Sequence, residues 1–264
     1  MANASRHRRG LPIARRFFYS VHRRWLRAFS PRFSTRERMG ALFLLDQLNL
    51  VDRTLWIRGA WESEQIDFLG QLIADNQSRM PKMVFLDVGA HAALYSILMA
   101  NAFAFDKIVA YEPLPENLAQ LRANLFINGF LDRVAVVEKA VGDHVGTASF
   151  IGASDRNRGV SRLASVKEPV AASGAAIDVA VTRIDVDFKT DNALIVAKID
   201  VEGGELDAIN GMSGLFDTNN NFILQVECND ARKDELHALL SSHGCAFVKA
   251  IEEDHYFTRF STPA

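Results

Sequence analysis

The chain has 264 residues, 48% of them apolar, which excludes a disordered chain and suits one large α/β domain with an extension. The net charge of −2 hides an asymmetry: up to Arg38 there are eleven arginines and one acid, Glu37, so that stretch is +10 and the rest carries 12 net negative charges. Cys228 and Cys245 are too few for a disulfide framework, no apolar run reaches the length of a membrane span, and none resembles a secretory signal; a cytoplasmic, reducing setting is the default expectation.

Taken in order, residues 1–10 are polar and basic. From Ile13 the apolar side chains Ile13, Phe17, Val21, Trp25 and Phe29 recur at helical spacing with arginines opposite, which predicts a basic amphipathic helix within 11–29. Such a helix either contacts an anionic membrane surface or nucleic acid, or packs its aromatic stripe on the domain or a second subunit; a mitochondrial presequence looks similar. Residues 1–38 are therefore assigned to a basic tail and 39–264 to the domain. Met39 to Asn49 continues a helical pattern through Leu42, Leu45 and Leu48, and Asp52 to Gly59, with Trp56, reads as a short strand or loop. Glu62 to Asn76 is a second helix. Trp56 and Trp61 either line a substrate pocket or pack beneath the N-terminal helices.

Met83-Val-Phe-Leu-Asp87-Val-Gly89 is an apolar run without alternation, the mark of a parallel strand buried on both faces, and it opens into helical spacing at Leu94, Ile97 and Leu98. Gly89 lets backbone approach a ligand, and Asp87 falls at the carboxyl end of the strand, where open α/β sheets hold ligands. A second such strand ends at Glu112, 23 residues beyond Gly89, the separation at which a nucleotide-binding unit offers an acid to ribose hydroxyls. Glu112 is thus the expected ribose ligand. The dinucleotide fingerprint needs glycine at 89, 91 and 94, but His91 and Leu94 stand at the last two, so NAD is disfavoured and a smaller nucleoside with an amino-acid tail fits better.

Pro115 to Asn128 is a helix closed by Asn128-Gly129, Arg133 to Glu138 a third strand, and Ala140-Val-Gly-Asp143 a turn. Thr147 to Ile151 and Ile177 to Arg183 are strands flanking Gly152–Gly174, which is long for a connection and is either a substrate-side loop or a surface insertion. Ala193 to Asp200 is another buried strand ending in an acid, and Val201-Glu202-Gly-Gly-Glu205 turns into a helix. Asp87 and Asp200 are expected on neighbouring strands with Glu112 farther along. Asn221 to Glu227 is a fifth buried strand, Asp230 to His243 a helix, and Ala246 to Ile251 with His255 to Arg259 an antiparallel edge pair. The seven histidines and two cysteines show no metal-ligand spacing, so no metal is expected.

Asp87-Val-Gly-Ala-His-Ala-Ala-Leu-Tyr-Ser96, Ala110-Tyr-Glu-Pro113 with Glu116-Asn117, Ala140-Val-Gly-Asp143 and Lys198-Ile-Asp-Val-Glu-Gly-Gly-Glu205 resemble, in order, the motifs of the FkbM-type methyltransferases, class I enzymes that use S-adenosylmethionine (SAM). Two positions depart from the family's Asp-Val-Gly-Ala-Asn-x-Gly: His91 replaces Asn and Ala93 replaces Gly. The resemblance implies a doubly wound, mostly parallel, seven-stranded Rossmann-like sheet with an antiparallel edge hairpin and an N-terminal helical extension. It implies SAM held by Asp87, Gly89, Ala90, His91, Ser96, Glu112, Pro113, Ala140 and Asp200. It further implies O-methylation of a small-molecule, sugar or lipid-linked acceptor; a hydroxyl acceptor needs deprotonation as it attacks, which places Asp200 near the methyl and leaves the general base open between Glu202 and His91. A catalytically silent SAM-fold partner protein is the alternative. A nucleic-acid methyltransferase is disfavoured by the acidic, aromatic-poor body, and an oligomer is compatible with the sequence.

Overall fold

The computed structural model describes residues 31–151, 162–163, 176–218 and 221–260. The expected amphipathic helix within 11–29, and all of the 152–174 segment except 162–163, lie outside the described residues. The chain begins as a β-hairpin, β1 (Phe33–Arg38) antiparallel to β2 (Ala41–Asp46), with Phe33 opposite Asp46. The helix expected over Met39–Asn49 is therefore corrected to a turn and a strand. Met39 (φ 51°) and Gly40 (φ 78°) both adopt positive φ, the two-residue turn that matches strand twist. Ala41, Phe43 and Leu45 are buried while Leu42 is exposed, so the period is 2. The expected boundary after Arg38 falls inside this hairpin.

Leu50–Arg58 is a helix (α1), which corrects the strand or loop expected from Asp52 to Gly59. Asn49 caps its start, its Oδ1 accepting from the N–H groups of Val51 and Asp52, and Gly59 closes it at φ 84°. Arg38 then donates to the carbonyls of Leu55 and Trp56, pinning the hairpin to the helix end. Helix α2 (Ser63–Asn76) agrees with expectation.

The strands and helices of the main layer run β3 (Lys82–Val88), α3 (Leu94–Ala102), β4 (Lys107–Tyr111), α4 (Pro115–Ile127) and β5 (Val134–Val137). A side sheet interrupts the series with β6 (Ala140–Val141), β7 (Gly146–Ile151), β8 (Arg162–Leu163) and β9 (Ala176–Thr182), in the order β6-β9-β7-β8. After the single turn α5 (Ile184–Asp187) come β10 (Ala193–Ile199), α6 (Glu205–Asn210), α7 (Ser213–Phe216), β11 (Asn221–Glu227), α8 (Lys233–Ser242), β12 (Ala246–Ile251) and β13 (Asp254–Arg259). The main sheet has seven strands in the order β12-β13-β11-β10-β3-β4-β5, parallel from β11 through β5, with β13 antiparallel to β11 and β12 to β13.

Both faces are covered, as continuous apolar strands require. Phe85, Val196 and Ile223 face a layer of α2, α3 and α4 with the hairpin, whereas Leu86, Ile195 and Leu224 face α6, α7 and α8. Each such fully buried side chain contributes roughly 1.5–3 kcal/mol of transfer free energy. One edge of the hairpin is closed by side chains instead of a strand. Gln120, Asn124 and Asn128, four residues apart on one face of α4 and just past its end, bond the free backbone groups of β2: Asn128 accepts from Leu42 N–H and donates to its carbonyl, Asn124 accepts from Leu44 N–H, and Gln120 donates to Leu44 O.

Candidate active site

Strand order reverses between β3 and β10: from β3 the chain proceeds through β4 to β5, while on the other side β10 is followed by β11. Open sheets hold ligands in the crevice beyond the carboxyl ends of strands at such a point. Asp87 on β3 is 1% exposed there, and its Oδ2 accepts from Ser96 N–H (2.9 Å) and Ser96 Oγ–H (2.6 Å), which ties the strand to the first turn of α3. Burial pushes the Asp87 carboxyl up, against the opposing pull of Lys198 and Ser96. Gly89 is demanded by sterics as well as by its φ of 83°: a Cβ there would lie 1.8 Å from the carbonyl oxygen of Asp200. The N–H groups of Gly89 and Ala90 both donate to Tyr111 O, so β3, β4 and β10 meet at this loop.

The loop continues with His91 (φ 48°) and Ala93 (φ 65°) in the left-handed region, a conformation that costs a non-glycine residue roughly 1–2 kcal/mol. Backbone N–H of His91 donates to Glu112 Oε2 (2.9 Å). The other oxygen of Glu112 accepts from Leu114 N–H and the Asn117 amide across the turn made by Pro113. Burial raises the Glu112 carboxyl to about 7 despite these three donors. The His91 ring meets the Asn49 amide at 2.7 Å, and burial lowers its pKa to about 4, leaving it neutral. Ala93 is fully enclosed in the apolar cluster with Ala90, Leu94 and Ile97.

Asp200 follows β10 directly, its N–H bonded to Val88 O. Its Oδ2 sits 2.6 Å from the ammonium of Lys198, a lysine 5% exposed that also stands 5.1 Å over the Tyr95 ring. Burial alone would raise Asp200, but Lys198, a hydrogen bond from Glu227 and the further bond from Lys198 hold it below the ordinary carboxylate range. Glu227, the last residue of β11, is pushed strongly upward by the Asp200 charge and by its own burial, so the two carboxyls titrate as a pair. Beneath them the Tyr95 hydroxyl donates to Glu62 (2.9 Å) and accepts from Gln225 (2.8 Å), whose amide also donates to Asp254 (2.8 Å). Lys198, Gln225 and Asp87 are register partners, which places all three on one sheet face under α3.

Of the residues that the sequence points to, Asp87, Gly89, Ala90, His91, Ser96, Glu112, Pro113 and Asp200 come together at the carboxyl ends of β3, β4 and β10. Glu202 (φ 57°) lies on the turn after Asp200 with its surface open to solvent, while the protein packed around the turn partly desolvates its carboxyl and, with the Asp200 charge, raises its pKa to about 7. Ala140 is buried in the side sheet, opposite Val181. Glu62, Tyr95, Lys198, Gln225, Glu227 and Asp254 were given no site role from sequence. Glu227 carried the same signal as Asp87, an acid closing an apolar strand. Among the described residues no group of His, Cys, Asp and Glu is arranged to hold a metal ion, and no helix is long and apolar enough to cross a membrane.

A family model for the methyltransferase FkbM domain matches residues 87–248, which takes in Asp87, Gly89, Glu112, Asp200 and Glu227. The chain belongs to the FkbM methyltransferase family. The FkbM match begins at Asp87, so the hairpin, α1 and α2 precede it. Among solved structures, this FkbM chain is similar to a methyltransferase FkbM from Methylobacillus flagellatus KT (17% identity, 67% of this chain and 43% of that one, TM-score 0.45). It is also similar to a protein described as a transferase from Pyrococcus horikoshii (10%, 94% and 84%, TM-score 0.50) and to a precorrin-6y C5,15-methyltransferase from Geobacter metallireducens (17%, 72% and 89%, 0.41). The chain spans about two fifths of the length of the first of these. The likeness to the Pyrococcus horikoshii protein, at 10% identity, concerns the fold alone. No curated protein matches the chain.

Proposed function

We propose that this FkbM-family chain O-methylates a small-molecule, sugar or lipid-linked acceptor using SAM, the cofactor that the class I fold implies. The observation that carries the reading is the convergence of Asp87, Glu112 and Asp200 on the carboxyl edge of three adjacent strands around Gly89. The donor set suits SAM. Oε2 of Glu112 receives one backbone N–H and retains acceptor capacity for a ribose hydroxyl, and the carboxylate-rich edge suits a ligand that brings an ammonium and a sulfonium. When bound, SAM supplies a methyl on a cationic sulfur, already activated for in-line transfer. The protein's share is then orientation, exclusion of water and removal of one proton.

For that proton, Glu202 is the better acceptor of the two residues weighed from sequence. It reaches solvent and has a near-neutral pKa, whereas the ring nitrogen of His91 facing Asn49 is engaged at 2.7 Å and the imidazole is pushed down to about 4. Asp200, kept ionised by Lys198, supplies fixed negative charge beside the crevice. The departure at Ala93 favours a silent partner protein only if its methyl crowds the ligand, and that methyl is enclosed by core side chains.

Isothermal titration with SAM and with its demethylated product tests the reading: saturable heat with both is expected, and the absence of heat or thermal shift with either would sink it. Peripheral membrane contact through residues 11–29 remains part of the proposal; vesicle sedimentation with and without those residues tests it, and equal sedimentation overturns it.

A further inference from the structure

We infer that Asn49 is a positioning residue of the cofactor loop, fixing the tautomer and rotamer of His91, so that the N-terminal hairpin and α1 are part of the SAM-binding machinery although they precede the family-matched residues. This rests on the reading that SAM binds at the Gly89–Ala93 loop. Asn49 is 4% exposed, and its carboxamide orientation is fixed by chemistry: Oδ1 accepts from the N–H groups of Val51 and Asp52 as the cap of α1, so Nδ2 is the group that faces His91. An amide N–H only donates. His91 Nε2, 2.7 Å away, is therefore the acceptor, and the neutral ring carries its proton on Nδ1.

A second and independent bridge joins the same two regions. Asn124 on α4 accepts from Leu44 N–H in β2 (2.7 Å) and donates to Ala92 O in the loop (2.9 Å), and Asn124 is fully buried. The loop is thus held at the first of its left-handed residues, His91, by Asn49 and Glu112, and between His91 and Ala93, at Ala92, by Asn124. Residues kept in such conformations persist where surrounding contacts over-determine them. The charged groups acting on the His91 ring are Asp200 and Lys198, both at the end of β10, and Asp46 of β2, and none of them makes the contact that selects the tautomer.

The test is a double-variant cycle on the full chain with Asn49→Ser and His91→Asn. Serine caps a helix about as well as asparagine, so N49S leaves the start of α1 intact while removing the donor to His91. SAM affinity by titration is expected to fall at least fivefold for N49S in the His91 background and less than twofold in the H91N background. An equal loss in both backgrounds would mean that Asn49 acts through the helix cap alone, which overturns the inference. Nitrogen-15 spectra of the His91 ring in the unliganded protein supply a readout independent of SAM: the Nδ1–H form alone in the wild type and a mixture in N49S. A mixture in the wild type also overturns it. If the wild type binds no SAM but shows the single tautomer, the proposed function fails while the positioning of His91 stands.

Discussion

The ammonium of Lys198 lies 2.6 Å from Asp200 Oδ2, and it is buried among the carboxyls of Asp200, Glu62 and Asp87, contributed by three different segments. Those charges raise the lysine pKa despite burial, so it stays cationic throughout the physiological range. A buried charge left without its partner is costly, about 3–5 kcal/mol. Lys198→Met is expected to destabilise the protein by that order at pH 7, and by less at pH 5, where the orphaned carboxyls can take up protons. Urea denaturation at the two pH values checks both statements.

Gly89 has no room for a side chain. With a φ of 83° and a carbonyl oxygen 1.8 Å from the site of a Cβ, Gly89→Ala must displace either the loop or the end of β10, and neither is a flexible side chain. The expected loss exceeds about 2 kcal/mol, compared with the few tenths typical of a surface change. Thermal unfolding of the variant measures it, and a melting temperature equal to the wild type would refute the close approach.

Glu112 links stability to pH. Its folded pKa of about 7 lies above the ordinary 4.5, so the folded chain holds the proton more tightly than the unfolded one. The corresponding stability is fully present below about pH 4.5 and is lost as pH rises to about 7, at up to roughly 1.4 kcal/mol per pH unit for one group. Asp52 and Asp254, also raised to about 7 chiefly by burial, act in the same direction. Glu112→Gln should flatten the slope between pH 5 and 7, measured as unfolding free energy against pH. An unchanged slope would assign the effect to the other acids.

Glu202 as base makes a kinetic prediction. Glu202→Gln is expected to lower kcat by about 10²–10⁴-fold with little change in SAM affinity or melting temperature, because the residue lies on an exposed turn. The wild-type rate should rise with pH through about 7 as the carboxyl ionises. A fully active variant would remove Glu202 from the chemistry.

Much of the sheet was legible because its signal is local. Lys82–Val88 and Ala193–Ile199 are continuous apolar runs, and a strand buried on both faces has no other way to be written. The acids after such runs, Asp87, Glu112 and Asp200, could be read as edge residues before their neighbours were known. Met39 to Asp46 could not be read this way. Leu42 and Leu45 are three residues apart and satisfy a helical period, and only the turn at Met39-Gly40, the pairing with Phe33–Arg38 and the amides of Asn124 and Asn128 some eighty positions away select the strand.

From the sequence alone came the order of the main-sheet strands along the chain, the glycine at the crevice and the family to which the motifs point, since each depends on a short window of residue types. The tertiary structure alone decided that the Asp200 charge acts on Glu227, that Lys198 sits among acids from separate segments, and that Asn49 touches a histidine 42 residues away. Propensity and periodicity act over a few residues of chain, whereas the protonation and partner of a buried polar group depend on which distant segments surround it.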